Sequence, residues 1–320
     1  MPALDAVLPL TARDSERASI LARSLERHFS GLGTLWAVTP DADCAALQRV
    51  LGAFSIPGEL RVIPETELVP ELAHARPWLR GWYRQQLVKL AIAARIQTDN
   101  YLTLDADVIC VRPVTPAALA PDGRGLCHVL ADTSHDAWYR GSSELLGLPC
   151  LPGGTLHNLT PAILNREAVL DLQRHLCERA VHGIYRRGLR GLRQRALLKL
   201  QRRRPAAADA WRLYLIAGTP WTEYTLYYTF LEASDRFERY HARSEFCIYA
   251  VEGSIWRPGR QRFEDWEPKA LFEGEGPPYF ALVQSIADIA PARVWTKVAP
   301  YLSSSHGSGR AYTGSESSDV

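Results

Sequence analysis

What this 320-residue chain has little of narrows its class before any motif is read. Methionine occurs once, as the first residue, while Ala, Arg, Leu and Pro are plentiful, a bias expected of a high-GC bacterial genome. Six cysteines (Cys44, Cys110, Cys127, Cys150, Cys177 and Cys247) contain no Cys-x-x-Cys pair. That spacing argues against a zinc ribbon or dithiol motif and predicts reduced thiols in apolar surroundings. No apolar run approaches bilayer length, and the opening residues Met1 to Leu10 carry Asp5 but no basic stretch. Neither a spanning helix nor a secretory signal is expected, and the expected compartment is the cytoplasm. Glycine is absent from Leu8-Pro-Leu-Thr-Ala-Arg13, and no P-loop occurs elsewhere, which counts against phosphate binding through a glycine-rich loop.

What remains is an ordinary globular composition, 47% apolar and 22% charged, enough for one large α/β domain or two small ones. Ala3 to Leu10, Leu32 to Val38 and Leu60 to Ile63 read as strands. Asp14 or Ser15 caps a helix after the first, and Pro40-Asp-Ala-Asp43 opens one after the second. Three βα units in succession favour an open, mostly parallel sheet flanked by helices. Asp41 and Asp43 sit at a helix start, where they serve as cap and dipole partners.

The chemistry concentrates in Tyr101-Leu-Thr-Leu-Asp-Ala-Asp-Val-Ile109, which reads as an apolar strand carrying Asp105 and Asp107 near its end. Side chains two apart share a strand face, so the two carboxylates would point the same way and repel unless a cation joins them. Oxygen ligation of this kind suits Mg²⁺ or Mn²⁺, which keep positions open for phosphate oxygens. A chance Asp-x-Asp in a surface turn is the competing reading, disfavoured by the surrounding Leu102, Leu104, Val108, Ile109 and Val111. The preceding segment Pro77 to Ala93 has helical spacing and places Gln86 and Lys89 together. They form either a solvated face or, one turn over the acids, a contact for a diphosphate.

Further on, Leu126 to Ala131, Thr155 to Leu164, Phe246 to Val251 and Tyr279 to Val283 read as strands, with helices over Asp136 to Leu146 and Leu170 to Arg179. Thr219 or Thr222 can cap a helix that has Glu223 in its first turn, where it acts as a dipole partner or, walled by Trp221 and Tyr224, as a general base. Between Arg179 and Arg204 lie ten Lys or Arg and no Asp or Glu, on a chain whose net charge is only +2. Leucines interspersed at helical spacing allow a docked solvated helix, a membrane-surface helix or a patch for polyanions. Interleaved aromatics are missing, so no nucleic acid is expected. From Ser303 to Val320 the Ser/Gly-rich composition predicts a disordered tail, and His306 within it could close over a metal.

Together these parts resemble the GT-A glycosyltransferases from about Ala3 to Lys297: a first strand with a polar turn, a Trp-Tyr-x-Gln-Gln-x-x-Lys helix, an Asp-Ala-Asp strand followed by Arg-Pro, and a later Trp-x-Glu-Tyr helix. The group most similar is a set of largely uncharacterised bacterial glycosyltransferase-like proteins. The resemblance implies one Rossmann-type α/β domain over residues 1–302, with a nucleotide-binding half at 1–115 and an acceptor half at 116–302 that includes the basic helical excursion. It implies Thr11, Arg13 and Asp14 as the first nucleotide-contacting loop, with Gln86 and Lys89 near the phosphates. Asp105 would reach the ribose, donor sugar or metal, Asp107 would ligate Mn²⁺ or Mg²⁺, and His306, His157 or no histidine would complete the metal shell. Glu223 falls where inverting members keep the base.

The function so implied is metal-dependent transfer of a sugar from a nucleotide-sugar, UDP-sugar favoured, to a carbohydrate or lipid-linked acceptor. Surface polysaccharide or glycolipid synthesis at the inner membrane face would suit it, with peripheral contact through residues 179–204. Trp138, Tyr139, His157, Asn158 and Trp221 are aromatic and polar groups of the kind sugars pack against. The competing functions are nucleotidyl or phosphoryl transfer on a similar sheet, and a non-catalytic sugar- or membrane-binding scaffold.

Overall fold

All six residues of strand β1 (Leu4–Pro9) are buried in the computed structural model of the chain, the pattern of a central strand covered on both faces. The structure describes residues 3–75, 79–181, 192, 207–218, 220–256 and 262–303. The basic stretch Arg186 to Arg204, apart from Leu192, lies outside the described residues, as do Thr219 and the tail with His306.

β1 is flanked in parallel by β2 (Leu32–Thr39) and β4 (Asn100–Thr103), β3 (Glu59–Pro64) extends the sheet beyond β2, and β9 (Ala162–Asn165) closes the other edge antiparallel to β4. The expected mixed, mostly parallel sheet flanked by helices is therefore observed. Alternation sorts its side chains into two cores. Val7, Trp36 and Val38 join one, and Leu4, Ala6, Leu8, Leu35 and Ala37 join the other. The longer helices are α1 (Ser15–His28), α2 (Cys44–Leu51), α3 (Gly81–Ala91), α4 (Asp136–Leu146), α5 (Arg166–Val181), α6 (Ala210–Ala217), α7 (Glu223–Ala233) and α8 (Pro291–Leu302). Among the described residues, no helix is long and apolar enough to cross a membrane.

A carboxylate inside the central strand needs an account. Asp5 is 2% exposed, and it spends Oδ1 on the Thr34 amide at 2.8 Å and Oδ2 on the Gln97 amide at 2.9 Å. It staples β1 to β2 and to the segment before β4, so its burial is structural.

Several local expectations are corrected. The run Tyr101 to Ile109 is not one strand: β4 ends at Thr103, and β5 (Val108–Cys110) pairs antiparallel with β11 (Phe280–Leu282) in a separate two-stranded sheet. Asp105 and Asp107 occupy the turn between, because the chain leaves one sheet for another there. Thr155 to Leu164 divides into β8 (Thr155–Leu156) and β9 around a polar stretch, and Phe246 to Val251 contributes only a bridge from Tyr249 to Phe280. Leu126 to Ala131 likewise divides into β6 (Gly125–His128), paired with β10 (His241–Ser244), and β7 (Leu130–Ala131). The aspartates near α1 and α2 do not cap by their side chains. Asp14 Oδ2 instead accepts from the amide and hydroxyl of Thr11, both at 2.9 Å, and Asp43 Oδ2 accepts from the Ala12 amide at 2.9 Å. All six cysteines are unpaired; Cys110, Cys127 and Cys247 are buried as expected, whereas Cys150 is exposed.

Candidate functional site

In an open parallel sheet, the carboxyl ends of adjacent strands that connect in opposite directions form a crevice. β1 and β4 are such neighbours at the centre of this sheet. From β1 emerges the loop Thr11 to Asp14, tied down by Asp14 and Asp43, with Arg13 exposed. From β4 emerges the turn with Asp105 and Asp107.

Lys89 lies beneath that turn, 1% exposed, on the buried face of α3. Its Nζ sits 2.8 Å from Asp105 Oδ1 and 3.1 Å from Glu223 Oε1, and donates to Thr160 Oγ1 at 2.9 Å. The Tyr224 hydroxyl bridges Thr160 Oγ1 (2.6 Å) and Thr103 Oγ1 (2.7 Å), which closes the polar cluster on the protein side. Two carboxylates thus share one buried cation. Burial pulls the Lys89 ammonium down, but Asp105, Tyr224 and Glu223 more than reverse it, so it stays charged with a raised pKa. Of the two readings of Lys89, the solvated face is excluded by its burial; its charge is committed to neutralising Asp105 and Glu223.

Glu223 opens α7, behind Thr222, whose hydroxyl accepts from the Thr225 amide at 2.9 Å. Its own amide donates to Gln86 Oε1 at 3.2 Å, which links the two helices. The carboxylate is 1% exposed; Oε1 lies against the Lys89 ammonium, and Oε2 accepts no hydrogen bond. Burial raises its pKa, opposed chiefly by Lys89. A buried carboxylate of this kind holds unused acceptor capacity, which costs stability unless a ligand engages it.

Asp107 has partners of its own. Its Oδ2 accepts from the Ser285 amide at 3.0 Å, and its backbone carbonyl accepts from the Val283 amide at 3.1 Å. Burial first, and the charge of Asp105 second, push its carboxyl up to about 6, against the Ser285 amide and the Arg17 guanidinium. Arg17 donates to the Val283 carbonyl at 3.2 Å and to the Ile289 carbonyl at 2.6 Å, so it also holds the segment that carries Ser285.

The donor set fits a divalent cation. Asp105 and Asp107 are mutually repelling carboxylates at the crevice, and Mg²⁺ or Mn²⁺ typically takes one or two carboxylates and completes its shell with water and phosphate. Among the described residues, no group of three or more His, Cys, Asp and Glu converges on a metal position. His157, the alternative third ligand, is a core residue: Nδ1 meets the Tyr139 hydroxyl at 2.9 Å, Nε2 meets Glu232 Oε1 at 3.0 Å, and the ring stacks on Tyr228. Asn158 is likewise committed, to the His128 amide and the Leu126 carbonyl. Trp221 is fully buried and donates to the Leu215 carbonyl.

The structure therefore unites Gln86, Lys89, Asp105 and Glu223, places Asp107 beside them, and brings the Thr11 to Asp14 loop to the carboxyl end of the same sheet. Sequence reasoning missed Thr103, Thr160, Arg17 and Ser285. It named Tyr224 as a wall of Glu223, but not the hydroxyl that bridges Thr103 and Thr160.

Fold and site define an α/β protein with a carboxylate-lined crevice built around a buried lysine. The chain belongs to DUF6492, a family of unknown function, whose model matches residues 1–306. No curated protein matches the chain. Among solved structures it is similar to mouse xyloside xylosyltransferase 1 in its apo form, with 12% sequence identity, a TM-score of 0.44, and coverage of 90% of this chain and 100% of that one.

Proposed function

We propose that the protein transfers a sugar from a nucleotide-sugar to a hydroxyl acceptor, with Asp105 and Asp107 holding Mn²⁺ or Mg²⁺ and Glu223 acting as base. The observation that carries this reading is the Glu223 carboxylate, buried at a helix start with Oε1 against the Lys89 ammonium and Oε2 without a hydrogen bond. Charge and geometry support it. The bound cation would neutralise the donor diphosphate as it leaves. Loop residues Thr11 to Asp14, at the end of β1, lie where a nucleotide enters such a crevice. Glu223, its pKa raised by burial, takes the proton from the acceptor hydroxyl as that oxygen bonds to the sugar's anomeric carbon. Lys89 favours the ionised form of the buried Glu223, and Gln86 holds the backbone from which it projects. A UDP-sugar donor, a carbohydrate or lipid-linked acceptor, a cytoplasmic site and membrane contact through residues 179–204 belong to the same proposal.

The experiment is a panel of UDP-, GDP- and CMP-sugars with and without Mn²⁺, followed by nucleotide release and binding. Wild type should bind or slowly hydrolyse one donor class in a metal-dependent way, and Asp107→Ala should abolish the metal dependence. Glu223→Gln should retain donor binding and lose transfer. Equal metal-linked nucleotide binding by wild type and Asp107→Ala overturns the metal role.

A further inference from the structure

Helix α3 passes from solvent into the site. Arg80, Gly81 and Trp82 at its start are exposed, with Trp82 at 41%, whereas Gln86 is 4% and Lys89 1% exposed. Trp82 and Gln86 are four residues apart, hence on one helix face and about 6 Å apart at their Cβ atoms. Gln86 in turn touches the Glu223 amide. The α3 face that begins at the exposed Trp82 indole thus ends, through Gln86, at the backbone of the proposed base.

A second ring meets Trp82 there. Trp138, in the first turn of α4, lies 5.4 Å from Trp82 between ring centroids, tilted by 36°, and His135 stands edge-on to Trp138 at 4.7 Å. α4 is locked to the segment that carries Glu223. A Cβ on Gly141 would come within 2.0 Å of the Pro220 carbonyl oxygen, so only glycine permits that approach. Ser142 Oγ also lies 2.8 Å from Thr225 Oγ1. Tyr83 contacts Trp221 at 5.7 Å, which ties the start of α3 to the same segment. Three elements thus hold the aromatic rim in register with Glu223.

We infer that Trp82 and Trp138 form the acceptor subsite and that the acceptor is a saccharide whose ring stacks on these indoles while a hydroxyl of the next sugar reaches Glu223. This rests on the transferase reading and names its acceptor class. A pyranose presents an apolar face of C–H groups ringed by hydroxyls, and a broad aromatic surface with a polar rim suits that shape. The way from Trp82 to Glu223, one helical turn plus a hydrogen bond, is on the order of 10 Å, the reach of a short oligosaccharide. Trp82 is solvent-exposed, so its removal leaves the buried cluster intact.

The test uses the full chain on an array of defined oligosaccharides, read also by tryptophan fluorescence, with wild type, Trp82→Ala, Trp82→Phe and Trp138→Ala and thermal melts of each. Wild type should bind a subset of glycans, Trp82→Ala should bind them at least tenfold more weakly with an unchanged melting temperature, and Trp82→Phe should recover most of the loss. Undiminished binding by both alanine variants, or no glycan bound by wild type, overturns the inference. Donor hydrolysis by wild type is measured in parallel. Hydrolysis without glycan binding defeats the saccharide subsite and leaves the transferase reading standing. Glycan binding through Trp82 without metal-linked donor chemistry does the reverse.

Discussion

Asp107 should weaken the fold it belongs to, and Asp107→Asn measures by how much. Burial and the neighbouring Asp105 charge raise its carboxyl from 3.8 to about 6. A shift of that size corresponds to roughly 3 kcal/mol of unfavourable interaction for the ionised form, as an upper figure. The sign follows from linkage. A carboxylate whose folded pKa is raised favours the fold below its unfolded pKa, near 4, and loses that contribution as pH rises through about 6. Asparagine removes the charge, keeps the volume, and its side-chain oxygen still accepts from the Ser285 amide. In EDTA at pH 7, urea denaturation should show Asp107→Asn more stable than wild type by about 1 to 3 kcal/mol. At pH 4 the two should coincide. Added Mn²⁺ should stabilise wild type and leave the variant unmoved, because binding to the native state alone stabilises it. A variant no more stable than wild type at pH 7, or an advantage independent of pH, refutes the account of Asp107 as a carboxylate held against its own solvation for a cation.

Three further outcomes follow from the same cluster. Replacing Lys89 by Met leaves Asp105 and Glu223 without their buried cation and should cost about 3 to 5 kcal/mol in urea denaturation; adding Glu223→Gln should recover part of it, and a single variant as stable as wild type would remove the shared-cation description. Mn²⁺ affinity, followed by electron paramagnetic resonance, should fall below pH 6 by about tenfold per unit, since a proton on Asp107 competes with the metal; a flat profile from pH 7 to 5 would place the ion elsewhere. Ser285→Pro deletes one amide donor to Asp107 and little else, because Gln284 before it is extended (φ −55°, ψ 138°) and Ser285 opens a short helical turn. Mn²⁺ should bind that variant about tenfold more weakly at an unchanged melting temperature, and unaltered affinity would show that Ser285 does not orient Asp107.

The sheet was legible because its signals are local. Leu4 to Pro9 and Leu32 to Thr39 are runs of apolar residues bounded by polar turns, and such runs specify strands whatever surrounds them. α4 (Asp136–Leu146) and the capping of α7 by Thr222 were legible for the same reason. Breaks inside apolar runs were not. Nothing between Tyr101 and Ile109 announces that Thr103 pairs with one sheet and Val108 with another, since the partner β11 lies far along the chain.

In the site, residue types and spacing alone singled out Asp105, Asp107, Gln86, Lys89 and Glu223 as groups worth bringing together. Tertiary structure decided what each is for. It buried Lys89 between Asp105 and Glu223, gave Asp107 the Ser285 amide, committed His157 to Tyr139 and Glu232, and set Trp82 against Trp138 at the rim. The physical reason is that charge and hydrogen-bonding capacity are properties of a residue, whereas burial and partners are properties of contacts between distant segments. The Lys89 ammonium carries its charge anywhere in the chain; only the meeting of α3, the turn after β4 and the start of α7 turns that charge into the centre of a site.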